Sequence, residues 1–586
     1  TGDNDGISIT NIYITGTAQL INDGKAPVLV STIPAEGATN ASANGKIVLT
    51  FDEKVKLTDN AAATLGTAKI EGTVSGKIIT FAYKGLNYAT AYTFTLAAGS
   101  VADLTDNATD QAIVLNFTTK TKPAVTKALY DFIVPTDGDF KAALDAAAKR
   151  TDTSKRFRIF IKQGDYKIPA DEKSKVTGSD GKSYANPTTY MNTPNVSIIG
   201  EGMDNTSLTN TVPNSGQSAN VLEGIGRGDV LSLESGATNT YFQDIKMYSS
   251  MGDAKGRDIV LNDQSNKTIC KNVNLWAYQD TYVSNNQNGK FYFEDGILRG
   301  RTDYLCGKGD VYYNNVELWI CEKGGYLAVP SQPKKDATAA KDLNGNYTLG
   351  RPWGKGTPIA LYIDTKMEAI PSAAGWNEMS GGYPKRFAEY NSYTSTGSVV
   401  DLKDRKKVYD AYDSKDGDNY VNRRNETAGD PILTAEEAAT YTIETVMGQD
   451  DDWDPTAATE QASAPSNVKL NGTTLAWDNN DYALLWAVCK NGKVVDFTIK
   501  PTYLVDDASA TWSVRAANEM GGLSEATAAV LSTGIHNIAS ATDAAVIKTA
   551  IFAADGTQLS NLQKGINIIV KTLADGSKKT SKVIVK

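Results

Sequence analysis

The chain has 586 residues, with 59 Lys and Arg against 68 Asp and Glu, a formal net charge of −9. That balance argues against a nucleic-acid binder, which needs a basic face to displace counterions, and no apolar run approaches the roughly 18 residues of a membrane span. The single histidine, His536, argues against a Ser-His-Asp triad, a His-rich zinc site and a His general base, so proton transfer in an enzyme of this composition falls to carboxylates.

The opening residues TGDNDG have no signal-peptide character, which fits a trimmed mature chain. Residues 1–25 hold one strand-like run, ISITNIYITG, and stay unassigned. Residues 26–122 read as a β-sandwich: IVLTFDEKV, KIITFAYKG, AYTFTLAAG and IVLNFTTK alternate between turn residues, and the stretch resembles bacterial Ig-like modules. In GDFKAALDAAAKR (138–150), Phe140, Ala143, Leu144 and Ala147 share one helical face and Asp139 can cap its start. From RFRIFIKQGDYKI a long β-rich region runs on, and 123–458 is expected to be one catalytic domain. It ends in a short helical pattern, LTAEEAAT, and an acidic run, DDDWD, which lacks the Gly and distal Glu of a calcium loop and reads as a solvated turn. Residues 459–466 are a linker by composition. Residues 467–532 return to short strands and resemble a fibronectin type III module. Residues 533–586 form a β-rich tail, similar to the C-terminal tails of surface or secreted proteins of Gram-negative polysaccharide degraders, with a sorting or anchoring role as the expectation.

The four cysteines, Cys270, Cys306, Cys321 and Cys489, match no metal-ligand spacing. They read as buried free thiols, with one disulfide among the first three left open.

The central region contains a repeat. YFQDIKM (241–247), ICKNVNL (269–275), YFEDGIL (292–298) and YYNNVEL (312–318) align, with Asp244, Asn272, Asp295 and Asn315 in one column. One short strand per repeat indicates a parallel β-helix. Asn and Asp fit a corner because they tolerate a left-handed backbone. An antiparallel sandwich is the competing fold. The repeat also places Asp280 and Asp303 at the same offset after the column, hence on adjacent coils about 4.8 Å apart. Two carboxylates at that separation repel by about 3 kcal/mol at an effective dielectric near 20, enough to favour one shared proton. Such a pair supplies a nucleophile and a general acid.

Three ordered motifs then resemble the pectin methylesterase family. Tyr278-Gln279-Asp280-Thr281 is similar to its Gln-Asp-Thr motif, and Arg301 to Gly307 to its Asp-Phe-Ile-Phe-Gly motif. Leu349-Gly350-Arg351-Pro352-Trp353 matches its Leu-Gly-Arg-Pro-Trp motif in full. The resemblance covers about residues 127–455. It implies an all-β chain: a right-handed parallel β-helix flanked by small sandwiches. It implies hydrolysis of methyl esters of galacturonic acid in pectin, that is, methyl-esterified homogalacturonan, with release of methanol. Asp303 matches the nucleophile, Asp280 the acid and base, Gln279 an oxyanion donor, Arg351 the cation holding Asp303, and Trp353 a sugar platform. No cofactor or metal is implied. A monomer is expected, secreted, periplasmic or on the surface of a Gram-negative bacterium.

The sequence also departs from that pattern. Arg257 opens the strand where a second donor glutamine is usual, so it either donates to the oxyanion or binds a neighbouring carboxylate. Cys306 replaces an aromatic substrate contact, for which Tyr282 or Tyr304 is the expected substitute. Ile168 stands where Glu is common, and 170–194 looks like an added loop. Arg257, Arg299, Arg301, Lys308 and Arg351 suggest a locally positive cleft. A polygalacturonase or pectate lyase on the same fold, or a non-catalytic glycan-binding surface protein, are the alternative functions.

Overall fold

The aligned repeats stack in register in the computed structural model: Tyr241 pairs with Ile269, Ile269 with Tyr292, and Tyr292 with Tyr312, all between parallel strands. The structure describes residues 22–586 except 127–128, 214–219, 255, 323–324, 331–334, 342–346, 450, 452, 480–481, 532–545, 574–577 and 586. The strand-like run at 7–16 and His536 lie outside the described residues.

Three parallel walls make up the β-helix. The first wall runs through Leu231–Leu233, Leu261–Asp263, Tyr282–Ser284, Thr302–Gly307, Gly325–Pro330 and Tyr347–Gly350. The second includes Phe157–Ile161, Val196–Ile199, Tyr241–Gln243, Thr268–Lys271 and Lys290–Glu294. The third includes Thr206–Thr209, Lys246–Tyr248, Asn274–Trp276 and Ile297–Gly300, and the strand Asp310–Ile320 serves both the second and third walls. Inward side chains from all three, such as Leu261, Phe242 and Leu275, fill one apolar core.

The corner between the second and third walls explains the repeat's polar column. Asp244, Asn272, Asp295, Asn315, Asp364 and Asn391 all have φ between 49° and 56°. Left-handed backbone costs most L-residues about 1–2 kcal/mol, less where a short polar side chain bonds locally. Here the amide of Asn272 donates to Asp244 at 2.6 Å, that of Asn315 to Asp295 at 2.7 Å and that of Asn391 to Asp364 at 2.8 Å. The column therefore pairs donors with acceptors from coil to coil.

The helix Phe140–Lys149 forms as its pattern predicts. Asp139 accepts the Ala142 N–H at 2.8 Å, and Phe140, Ala143, Leu144 and Ala147 are buried in the β-helix core. The LTAEEAAT pattern becomes the helix Ala435–Ala439, with a capping box between Thr434 and Glu437. The segment read as an added loop carries an antiparallel hairpin of Asp171–Thr177 and Ser183–Asn186. In the acidic run, Asp451 lies in an exposed turn, as read from the sequence, and is also ion-paired: Lys267 and Lys290 each reach its carboxylate at 2.7 Å. Asp450 and Asp452 lie outside the described residues. All four cysteines are free thiols, three buried and Cys321 partly exposed.

Residues 29–119 form a four-stranded and a five-stranded sheet around Ile47, Leu49, Phe81, Phe94 and Phe117, with a two-stranded ribbon of Val55–Leu57 and Val101–Asp103. Residues 469–531 form two further four-stranded sheets around Leu475, Trp486, Trp512 and Val514. This second sandwich docks on the outer face of the β-helix's second wall. Phe497 packs against Tyr130 and Phe160, with ring centroids 4.8 and 5.2 Å away. Tyr130 donates its hydroxyl to the Gly521 carbonyl at 2.6 Å, and the Val494 N–H reaches Glu201 at 2.9 Å. The strands Val546–Ala553, Gly565–Leu573 and Lys578–Val585 form most of a last antiparallel sheet.

Candidate active site

Parallel pairing carries the motifs onto adjacent coils. Arg257 pairs with Gln279, and Gln279 with Thr302, so Asp280 falls opposite Asp303. The Asp280 N–H donates to the Thr302 carbonyl at 3.1 Å, fixing that register. Both aspartates have left-handed backbone, φ 58° and 53°, where the chain turns onto the first wall. Their side chains, with those of Gln279, Arg257, Arg351, Trp353, Ile225, Cys306 and Met379, line one open cavity of about 220 Å³.

Arg351 leaves the end of the strand Tyr347–Gly350 and grips Asp303 in a fork. Its Nε donates to Oδ1 at 2.9 Å and its Nη2 to Oδ2 at 2.6 Å. The guanidinium lies 4.4 Å from the centroid of the Tyr326 ring, which holds its plane. Arg257 is half exposed, and its Nε stands 3.6 Å from Asp280 Oδ2. Trp353 is 41% exposed, so one aromatic face remains open to a ligand.

Both carboxyls are almost fully buried. Burial pushes Asp280 up to about 7, the charge of Asp303 adds to this, and Arg257 and Arg351 pull it back. Burial also raises Asp303, against the two hydrogen bonds and the charge of Arg351. The fork belongs to Asp303 and favours its anionic form, whereas burial and the neighbouring charge favour the protonated form of Asp280. The arrangement can carry out acyl transfer: an oriented anion, a carboxylic acid beside it, and amide and guanidinium donors at the mouth.

Tyr282 and Tyr304 require correction. Both are wholly buried in the β-helix core and cannot touch a saccharide. Residues two apart share a face in a regular strand, which would put Tyr282 beside Asp280. The left-handed turn at Asp280 interrupts that alternation, and Tyr282 pairs with Leu305 in an inward column. Tyr304 follows Asp303 directly and takes the opposite face. Of the five cations expected around the cleft, Arg257 and Arg351 line it. Arg299 belongs to the third wall, bound to Asp253 at 2.6 Å and stacked 4.8 Å from the Trp276 ring.

Two features were not legible in the sequence. Ile225 and Met379 come from separate loops and pack with Ile259, Val283 and Cys306 into an apolar wall of the cavity. Asp258 is fully buried behind the site, and its Oδ1 accepts the N–H groups of Tyr278 at 3.2 Å and Gln279 at 3.5 Å. It thereby holds the turn that presents Gln279 and Asp280. Its position next to Arg257, in a run otherwise apolar up to Leu261, was the available signal.

Residues 131–338 match the family model described as Pectinesterase, and residues 23–119 the one described as Bacterial Ig-like domain. Among curated proteins, Pectinesterase 2.1 of Solanum lycopersicum is 23% identical over 291 residues, covering 46% of this chain and 48% of its own length. The pectinesterase/pectinesterase inhibitor of Ficus pumila var. awkeotsang is 24% identical over 300 residues, covering 47% and 50%. The chain thus spans about half the length of the curated relatives it matches. Solved structures similar to it include pectin methylesterase from carrot (16% identity, TM-score 0.42, covering 57% of this chain and 98% of that one). Pectin methylesterase PemA from Erwinia chrysanthemi is another (18%, 0.38, 57% and 99%).

Proposed function

We propose that this chain, whose residues 131–338 form a pectinesterase-family domain, removes methyl esters from galacturonic acid units of pectin. The observation that carries the reading is the asymmetry of the carboxylate pair. Asp303 is clamped by Arg351 and ionised, while Asp280 sits beside it and holds a proton near neutral pH.

In this mechanism the Asp303 carboxylate attacks the ester carbonyl carbon. Negative charge develops on the carbonyl oxygen, where the Gln279 amide and the Arg257 guanidinium donate. The C–O bond to the methoxy group breaks, and Asp280 gives its proton to the departing oxygen, releasing methanol. An anhydride now links Asp303 to the galacturonyl group. Water attacks its galacturonyl carbon while Asp280 takes the proton, which frees the acid and restores both aspartates. Trp353 supports a sugar ring, and the wall of Ile225, Cys306 and Met379 receives the methyl group. No step calls for a metal, and the described residues include no group of three or more potential ligands.

A polymeric substrate of this kind is met outside the cell. A secreted, periplasmic or surface-exposed monomer of a Gram-negative bacterium is the corresponding setting; the match to a bacterial Ig-like domain supports the bacterial part of that reading.

The test is methanol release from highly methylated homogalacturonan by the full chain, with reducing ends and unsaturated products measured in parallel. Methanol alone is expected. Asp303→Asn and Asp280→Asn should each remove most of it with folding intact. Reducing ends or unsaturated products without methanol would replace the esterase by a hydrolase or a lyase.

A further inference from the structure

A groove follows the seam between the Ig-like sandwich and the segment that leads into the second sandwich. It consists of three adjoining cavities of about 310, 250 and 340 Å³. The first two share Ala457 and Glu460, and the last two share Tyr482. None of its lining residues belongs to the candidate active site.

Its chemistry is that of hydroxyl recognition. Tyr88 and Tyr482 stand with ring centroids 6.4 Å apart, two amphipathic rings at the middle of the groove. Asn44 accepts the Gly85 N–H at 2.8 Å through Oδ1, while its Nδ2 has no hydrogen-bond partner among the described residues. Glu460, shared by two of the cavities, is partly buried, and its carboxylate has neither an ion pair nor a hydrogen bond among the described residues. A partly buried residue with an unpaired carboxylate and a spare amide donor match a ligand bearing hydroxyl groups.

Charge restricts the ligand further. Lys46 is paired with Glu444 and Lys120 with Glu519. Asp454 accepts from Thr456 and Asp478 from Ser466 and Asn467, and neither has an ion pair among the described residues. Lys84 is the remaining lining cation, and it is exposed. Against Glu460, Asp454 and Asp478 the balance is negative, which disfavours a polyuronate.

We propose that this seam is a second saccharide site that takes uncharged chains. Resting on the function proposed above, this means that it holds methyl-esterified galacturonan, whose carboxyls are masked, and lets go of the de-esterified polyanion. The groove would keep the enzyme on unprocessed polymer and release it from product.

The test is calorimetric binding by the full chain carrying Asp303→Asn, with highly methyl-esterified galacturonan and the same chain after saponification as probes. The esterified chain is expected to bind more tightly. Asn44→Ala should weaken it about three- to tenfold, the cost of one hydrogen bond. Glu460→Gln should strengthen the saponified chain about tenfold by removing one like charge. In the otherwise wild-type chain, both variants should leave kcat on short esters unchanged and alter KM on polymer. If methanol is released but neither variant shifts either affinity, the seam site is wrong and the esterase stands. If no methanol is released yet both variants shift binding as described, the esterase is wrong and the seam site stands.

Discussion

The Nε of Arg257 stands 3.6 Å from Oδ2 of Asp280, so the cation that departs from the family pattern addresses the general acid as well as the cleft. Its charge draws the Asp280 carboxyl down against the burial that raises it. Arg257→Gln should therefore move the alkaline limb of the kcat/KM profile to higher pH, since acylation needs Asp280 protonated. It should retain much of kcat, because an amide donates the same bond. Arg257→Ala should lower kcat by about 10²- to 10³-fold if the oxyanion role holds. An unchanged kcat on fully methylated oligomers would leave Arg257 with substrate carboxylates alone.

Four buried carboxyls predict an unusual pH dependence of stability. Burial pushes Asp263 up to about 6, Asp229 and Asp280 to about 7 and Asp258 to about 8. Each is raised above its unfolded value, so its contribution is full below about pH 4 and is lost as pH climbs through the folded value. Asp451, lowered to about 2 by Lys267 and Lys290 against its own burial, acts in the opposite sense, and its contribution falls away only in acid. Thermal denaturation should show greatest stability near pH 4 and a decline from there toward pH 8. Asp258→Asn should flatten part of that decline. A Tm that rises from pH 5 to pH 8 would contradict the assignment of neutral buried acids.

Residues 123–458 contain the whole candidate site but not its outer support. Tyr130, Phe160, Ile199, Tyr241 and Ile269 are buried in a cluster with Leu485, Val494 and Phe497 of the second sandwich. Fully burying one such side chain is worth about 1.5–3 kcal/mol. A 123–458 fragment should therefore aggregate or melt well below the full chain, and extension to residue 531 should restore solubility. Equal melting temperatures for the two fragments would show that the docking contributes little.

Asn272 combines left-handed backbone, φ 49°, with a 2.6 Å bond to Asp244. Asn272→Ala should cost about 2–3 kcal/mol, from strain and the lost bond together. Asn272→Gly should recover the strain and lose only the bond. Denaturant unfolding of the two variants separates the contributions, and equal costs would remove the strain argument.

Local chemistry made much of this molecule legible from its residues. The helix at 140–149 followed from a 3.6-residue pattern and a capping Asp139. The coil register followed from the Asp and Asn column, because few side chains tolerate a left-handed corner. That register alone set Asp280 against Asp303, and the motif order supplied Gln279, Arg351 and Trp353. Side-chain direction past a backbone irregularity was not legible: the turn at Asp280 breaks the period of two and sends Tyr282 into the core. Contacts between distant segments were equally silent. Ile225, Cys306 and Met379 meet because two loops converge over one wall strand, and the linker-like residues near 460 lie in a seam because two sandwiches close on it. Periodicity and corner chemistry are properties of neighbouring residues, and sequence carries them. Facing, convergence and burial of charge depend on where separate coils and modules come to rest, and the tertiary structure alone decides them.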